Sequence, residues 1–155
     1  MKLYNKGIKY NTEVKIMNDC IFCKIANGEA PCYKIYEDDY ALAFLDISKD
    51  CYGHTLVIPK KHFKNVLDCE DEYLAKVIEA VKKVANHYVD NCGFEGVNIL
   101  NASGEEAQQS VFHLHFHILP RANKNEYDGF PVLPGTTVDF EEQLERLKFK
   151  AKKTK

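Results

Sequence analysis

Apolar and polar positions follow two periods along this chain. From residue 70 to 91 apolar side chains fall at Leu74, Val77, Ile78, Val81, Val84, Ala85, Tyr88 and Val89, a 3.6-residue stripe that predicts one long helix. Glu70 and Asp71 suit its first turn, and Gly93 can close it. A period of two, bounded by turn residues, predicts strands over 33–37, 41–45, 54–58 and 97–101, the first two joined by a tight turn at Asp38-Asp39. A short helix is expected over 20–26, capped by Asp19 and ended by Asn27-Gly28. Another is expected from about Asp139 to Lys148. Strands meeting in hairpins with helices between them give an α+β class with a mainly antiparallel sheet. No internal repeat or boundary interrupts residues 18–150, so they are expected to form a single domain. Residues 1–17, rich in lysine and asparagine, are expected to be a poorly ordered N-terminal extension that adds little to the fold.

The period of two is most informative at Ser110-Val111-Phe112-His113-Leu114-His115-Phe116-His117-Ile118-Leu119-Pro120-Arg121. On a strand, His113, His115 and His117 would share one face, each roughly 6.5–7 Å from the next, while Leu114, Phe116 and Ile118 enter a core. A half-buried strand with polar residues on its wet face is the bland alternative, but that face more often carries Thr, Lys, Glu or Ser. Imidazoles suit proton transfer, nucleophilic attack or metal binding near neutral pH. His54 and His62 bracket another strand, so five of the six histidines gather into one cluster if these two strands are neighbours. His87 falls in the long helix and is read as an ordinary surface residue. Before the histidine stretch, Asn101, Ser103, Gly104, Gln109 and Ser110 supply donors suited to an anion. Phosphate is the natural one, because an imidazole can attack phosphorus covalently.

Composition alters this picture little. A hydrophobic fraction of 45%, a charged fraction of 28% and a net charge of −2 are those of an ordinary globular chain. They give no electrostatic reason to expect nucleic acid or a membrane surface as partner. The basic run 148–155 reads as a solvated tail. No apolar run approaches the length of a membrane span, and no export signal opens the chain, so it is expected in the cytoplasm. Its six cysteines are then expected as thiols or metal ligands rather than disulfides. Only Cys20 and Cys23 are close, as C-x-x-C. They suit a redox pair, two packed thiols, or half of a Cys₂His₂ site completed by His62 and one histidine of the triplet.

His-Leu-His-Phe-His-Ile-Leu resembles the signature of the histidine triad (HIT) family of nucleotide hydrolases and transferases. The resemblance extends through Gln109-Ser110-Val111-Phe112, Gly53-His54-Thr55-Leu56-Val57-Ile58-Pro59-Lys60-Lys61-His62, Phe44-Leu45-Asp46-Ile47 and Asp19-Cys20-Ile21-Phe22-Cys23-Lys24-Ile25, covering roughly residues 18–121 in the family's order. It implies an α+β homodimer whose sheets join across the subunits, with a purine nucleotide site in each protomer. It further implies that His115 attacks the α-phosphate, that His117 contacts the phosphate and helps the leaving group, and that His54 completes the catalytic cluster. Gln109, Ser110 and, one residue out of register, Asn101 match phosphate or ribose contacts; Asp46 matches the ribose ligand, with Phe22, Ile25, Phe44 and Ile47 around base and sugar. Zinc-bearing bacterial relatives imply a structural Zn²⁺ on Cys20, Cys23, His62 and His113. This chain departs from the pattern at Gln108, where many relatives have glycine, and after Arg121.

The expected activity is hydrolysis at the α-phosphate of purine nucleoside phosphoramidates or dinucleoside polyphosphates through a nucleotidyl-histidine. A non-catalytic nucleotide-binding regulator is the rival, and a hydrolase using zinc-activated water a third option, which a closed Cys₂His₂ site disfavours.

Overall fold

The computed structural model describes residues 19–129 and 132–149. The expected N-terminal extension lies outside the described residues, as does most of the basic tail. The elements run α1 (Ile21–Ala26), β1 (Lys34–Glu37), β2 (Ala41–Leu45), β3 (Thr55–Pro59), α2 (Asp71–Cys92), β4 (Gly96–Leu100), a 3₁₀ turn (Glu105–Ala107), β5 (Phe116–Arg121) and α3 (Phe140–Leu147). The five strands form one sheet in the order β1-β2-β3-β5-β4, every neighbouring pair antiparallel. The α+β class with an antiparallel sheet and one long helix is what the pattern predicted.

Alternation along each strand divides the apolar residues between two layers. Ala41, Ala43, Val57, Phe116 and Ile118 face the long helix and pack with Val77, Ala80, Val81, Val84 and Tyr88. Small alanines there let a 22-residue helix lie close to the sheet. Leu42, Phe44, Leu56 and Ile58 point the other way, onto Phe22 of α1. The candidate chemistry lies on this second face. The buried hydroxyls of Thr55 and Tyr88 satisfy each other at 2.6 Å.

Local chemistry explains the element ends. Asp38 accepts from the backbone N–H groups of Tyr40 and Ala41, building the β1–β2 turn that the Asp-Asp pair predicted. Asp71 and Glu72 occupy the first turn of α2, and Gly93 closes it at φ +79°, a left-handed conformation that glycine takes without Cβ strain. Asp139 caps α3 by accepting from Glu142 N–H at 2.8 Å. At α1 the expectation fails: Cys20, not Asp19, holds the cap position, and no side chain closes it. The Cys20 sulfur lies instead 3.5 Å from His113 Nδ1. Among the described residues no helix is long and apolar enough to cross a membrane.

Candidate active site and metal centre

Antiparallel pairing of β3 with β5 sets Leu56 opposite His117, the adjacency that a histidine cluster required. The histidine stretch is not one strand, however. β5 begins only at Phe116, and residues 113–115 run through a bend and an extended segment outside the sheet. Leu114 N–H pairs with the Phe63 carbonyl at 2.7 Å, so this segment follows the turn after β3. His113 and His115 therefore sit inside the protein, His115 at 4% exposure, and not on a wet strand face. Leu114, Phe116 and Ile118 do enter the core against α2.

The bend divides the histidines between two sites. In the first, one sulfur or nitrogen of each of Cys20, Cys23, His62 and His113 lies within 4.8 Å of the others. Cys23 Sγ is 3.2 Å from His62 Nδ1 and 3.5 Å from His113 Nδ1. Sulfur at about 2.3 Å and nitrogen at about 2.0–2.1 Å from a tetrahedral zinc stand about 3.5 Å apart, so the donor set fits that ion. His113 Nε2–H donates to the Pro59 carbonyl at 2.9 Å, which leaves Nδ1 as the ligating nitrogen. Burial, then the neighbouring Cys20, push the Cys23 thiol up to about 12, and burial pulls His113 down to about 4. A Cys23 thiol held that high loses its proton readily only beside a cation.

The second site opens on a cavity of about 890 Å³ between α1, the strand β2 and the start of β5. That volume is within the range of small-molecule sites. Phe22, Ile25, Phe44 and Ile47 form its apolar wall, Asp46 and Ser110 its polar rim, and His115 and His117 its floor, so eight residues singled out in the sequence line one cavity. His115 Nδ1–H donates to the His113 carbonyl at 2.7 Å, which places the free lone pair of a neutral ring on Nε2. His117 packs edge-on against it, ring centres 4.9 Å apart. His117 Nδ1 is 2.8 Å from His54 Nε2, and His54 Nδ1 is 2.6 Å from Asp50 Oδ1. Burial, with His115 and His54 as neighbours, lowers His117 to about 4.

Two residues expected to touch a bound anion do other work in this structure. Gln109 is buried; its amide donates to the carbonyls of Lys64 and Val111 and accepts from Gly104 N–H, so it fixes the loop from inside. Asn101 donates to the His115 carbonyl at 2.9 Å and holds the backbone beneath the imidazole. Neither lines the cavity. Gln108 keeps a glycine-like φ of +64°. The sequence reading also passed over Cys32, Leu56 and Val111, which line the cavity; the alternation on β3 could have flagged Leu56, but nothing local marks the others. It passed over Asp50 too.

A HIT domain model matches residues 27–124, and the chain belongs to the HIT family. It is 50% identical over 121 residues to the Protein hit of Bacillus subtilis, covering 78% of this chain and 82% of that one. It is 44% identical over 118 residues to an adenosine 5'-monophosphoramidase of Schizosaccharomyces pombe, covering 74% and 85%. Among solved structures, a zinc-bound histidine triad protein of Mycobacterium smegmatis superposes with a TM-score of 0.68 at 37% identity, covering 73% of this chain and 82% of that one.

Proposed function

We propose that the protein is a nucleotide hydrolase that cleaves at the α-phosphate of a purine nucleoside phosphoramidate or dinucleoside polyphosphate. Support comes from the phosphoramidase activity named for the fission-yeast relative. The observation that carries the reading is the fixed tautomer of His115, whose free nitrogen sits in a cavity floored by histidines. Base and sugar would lie among Phe22, Ile25, Phe44 and Ile47, with Asp46 on the ribose hydroxyls and Ser110 at the phosphate.

Catalysis takes two in-line displacements. His115 Nε2 attacks the α-phosphorus; the bond to the leaving amine or phosphate breaks, and the leaving group takes the Nε2 proton of a protonated His117, which becomes the neutral ring with its proton on Nδ1 and a bare Nε2. Water then attacks the nucleotidyl-histidine, loses its proton to His117, and the phosphorus–nitrogen bond breaks to free the nucleotide and His115. Zinc on Cys20, Cys23, His62 and His113 would hold α1 and the segment before β5 in place, without an open position for water. The protein is further proposed to act as a homodimer.

Turnover of an adenosine phosphoramidate and of a dinucleoside polyphosphate, wild type against His115→Ala, tests the reading. The variant should lose at least about 10³-fold in kcat and still bind nucleotide. Equal turnover in both proteins sinks the assignment; binding without turnover in the wild type leaves the non-catalytic regulator.

A further inference from the structure

We propose that Asp50 is a positioning residue: its carboxylate fixes the orientation and tautomer of His54 and, through His54, selects which nitrogen of His117 exchanges a proton at the phosphate. The proposal rests on the hydrolase reading above. Its geometry is a chain of two short hydrogen bonds, Asp50 Oδ1 to His54 Nδ1 at 2.6 Å and His54 Nε2 to His117 Nδ1 at 2.8 Å. A carboxylate only accepts, so His54 carries its proton on Nδ1 and presents a bare Nε2. His117 must then donate through Nδ1, which leaves its Nε2 as the atom that takes up and releases protons in the cavity. Without the carboxylate, His54 is free to place its proton on Nε2. The direction of the His54–His117 bond then reverses, and the neutral His117 holds its proton on Nε2, the wrong state for accepting one from water. The same logic makes the carboxylate of a Ser-His-Asp triad important for tautomer choice.

The other carboxylate at the cluster does not supply this. Asp46 Oδ2 stands 3.8 Å from His54 Nε2, beyond hydrogen-bonding range, and Asp46 Oδ1 accepts from Ser48 N–H. Asp50 is aimed by its loop: Lys49 before it takes a left-handed φ of +57°, and Gly53 after it, at φ +77°, passes so close to Pro120 that a Cβ would stand 3.1 Å from Cγ. The Asp50 side chain is 59% exposed while the imidazole it holds is buried. Water screens its charge, so orientation is its larger contribution.

Asp50→Asn tests this in two ways. In full-length, histidine-¹⁵N-labelled protein without substrate, the wild type should show His54 as the Nδ1–H tautomer, and the variant a mixture. With an adenosine phosphoramidate, kcat should fall about tenfold, part of the 10²–10⁴ that proton transfer contributes, while KM stays within about twofold. The inflection of the kcat–pH profile should move to lower pH, because one of the carboxylates supporting a protonated His117 is gone; the ionisable groups facing the His54–His117 pair are Asp46, Asp50, Cys51 and His115. A purely structural role moves neither the inflection nor the tautomer. An unchanged His54 tautomer in Asp50→Asn overturns the proposal, as does wild-type kcat in a variant whose tautomer has changed. If the wild type fails to turn over any nucleotide conjugate, the hydrolase reading falls, and the imidazole spectra alone decide whether Asp50 positions His54.

Discussion

At Gln108 the backbone turns left-handed, φ +64° and ψ +29°, as the 3₁₀ turn Glu105–Ala107 closes into the loop before the triad. A residue with a Cβ is strained there by about 1–2 kcal/mol relative to the right-handed well. Gln108 is held by its N–H bond to the Glu105 carbonyl at 2.8 Å and by Gln109, whose buried amide ties the next residue to Lys64, Val111 and Gly104. Gln108 therefore holds, through its neighbours' hydrogen bonds, a backbone path that a glycine would take without strain. Gln108→Gly removes the strain but gives the unfolded chain more freedom, and the two effects nearly offset. Its urea midpoint should match or slightly exceed the wild type. Gln108→Val, β-branched in a left-handed position, should cost about 1–2 kcal/mol. Equal midpoints for the glycine and valine variants would show that the loop relaxes out of this conformation in solution.

At the scale of elements, the four metal-site residues come from three separate pieces: α1 and its cap, the turn after β3, and the bend before β5. A cation there would tie α1 to the sheet. Purified protein should carry about one zinc per chain, and stripping it should lower stability by about 4 kcal/mol if free zinc had stood a thousandfold above its Kd. The melting temperature should then fall by about 10–15 °C. Turnover should persist below that lower melting point, because a backbone carbonyl, not the metal, fixes the His115 tautomer. Metal-free protein as purified, with a melting curve indifferent to a chelator, would refute the zinc assignment. The same elements show what a sequence reveals. The α2 stripe and the β2 and β3 runs were legible because a whole face repeats, and they fall within a residue or two of expectation. The alternation from His113 to Ile118 fitted a strand equally well but spans a bend, since an extended segment and a sheet strand share one side-chain period. Gln109 and Asn101 were read as phosphate donors because residue type does not tell where an amide points; their partners, Lys64 and the His115 carbonyl, are set only by tertiary packing. Asp50 left no trace, as a lone acid in a loop has no pattern around it.

At the scale of the whole molecule, β4 closes the sheet on one side, and among the described residues its outer backbone edge is unpaired, a surface that folded proteins seldom leave open. Ile99 lies opposite Ile118 in the register and so points toward the layer of α2, yet it is 48% exposed. On α2 itself, Ile78 and Val89 belong to the predicted apolar stripe but emerge exposed, while the stripe's centre is buried. They stand eleven residues apart, three helical turns, and so share one face. An open strand edge and exposed apolar residues on the long helix invite a second copy of the chain. Two β4 strands meeting antiparallel about a twofold axis would extend five strands to ten and cover Ile99. Leu100 lies opposite His117 in the register, so the seam would run beside the face that carries the proposed site. Sedimentation of the wild type at micromolar concentration should give twice the chain mass of 17.8 kDa. Ile99→Glu puts a charge into the seam of each copy and should shift the mass to that of the monomer, with thermal stability that no longer depends on protein concentration. A wild-type protein that sediments as a monomer across that range refutes the dimer, and leaves the open edge of β4 to be explained by a different partner.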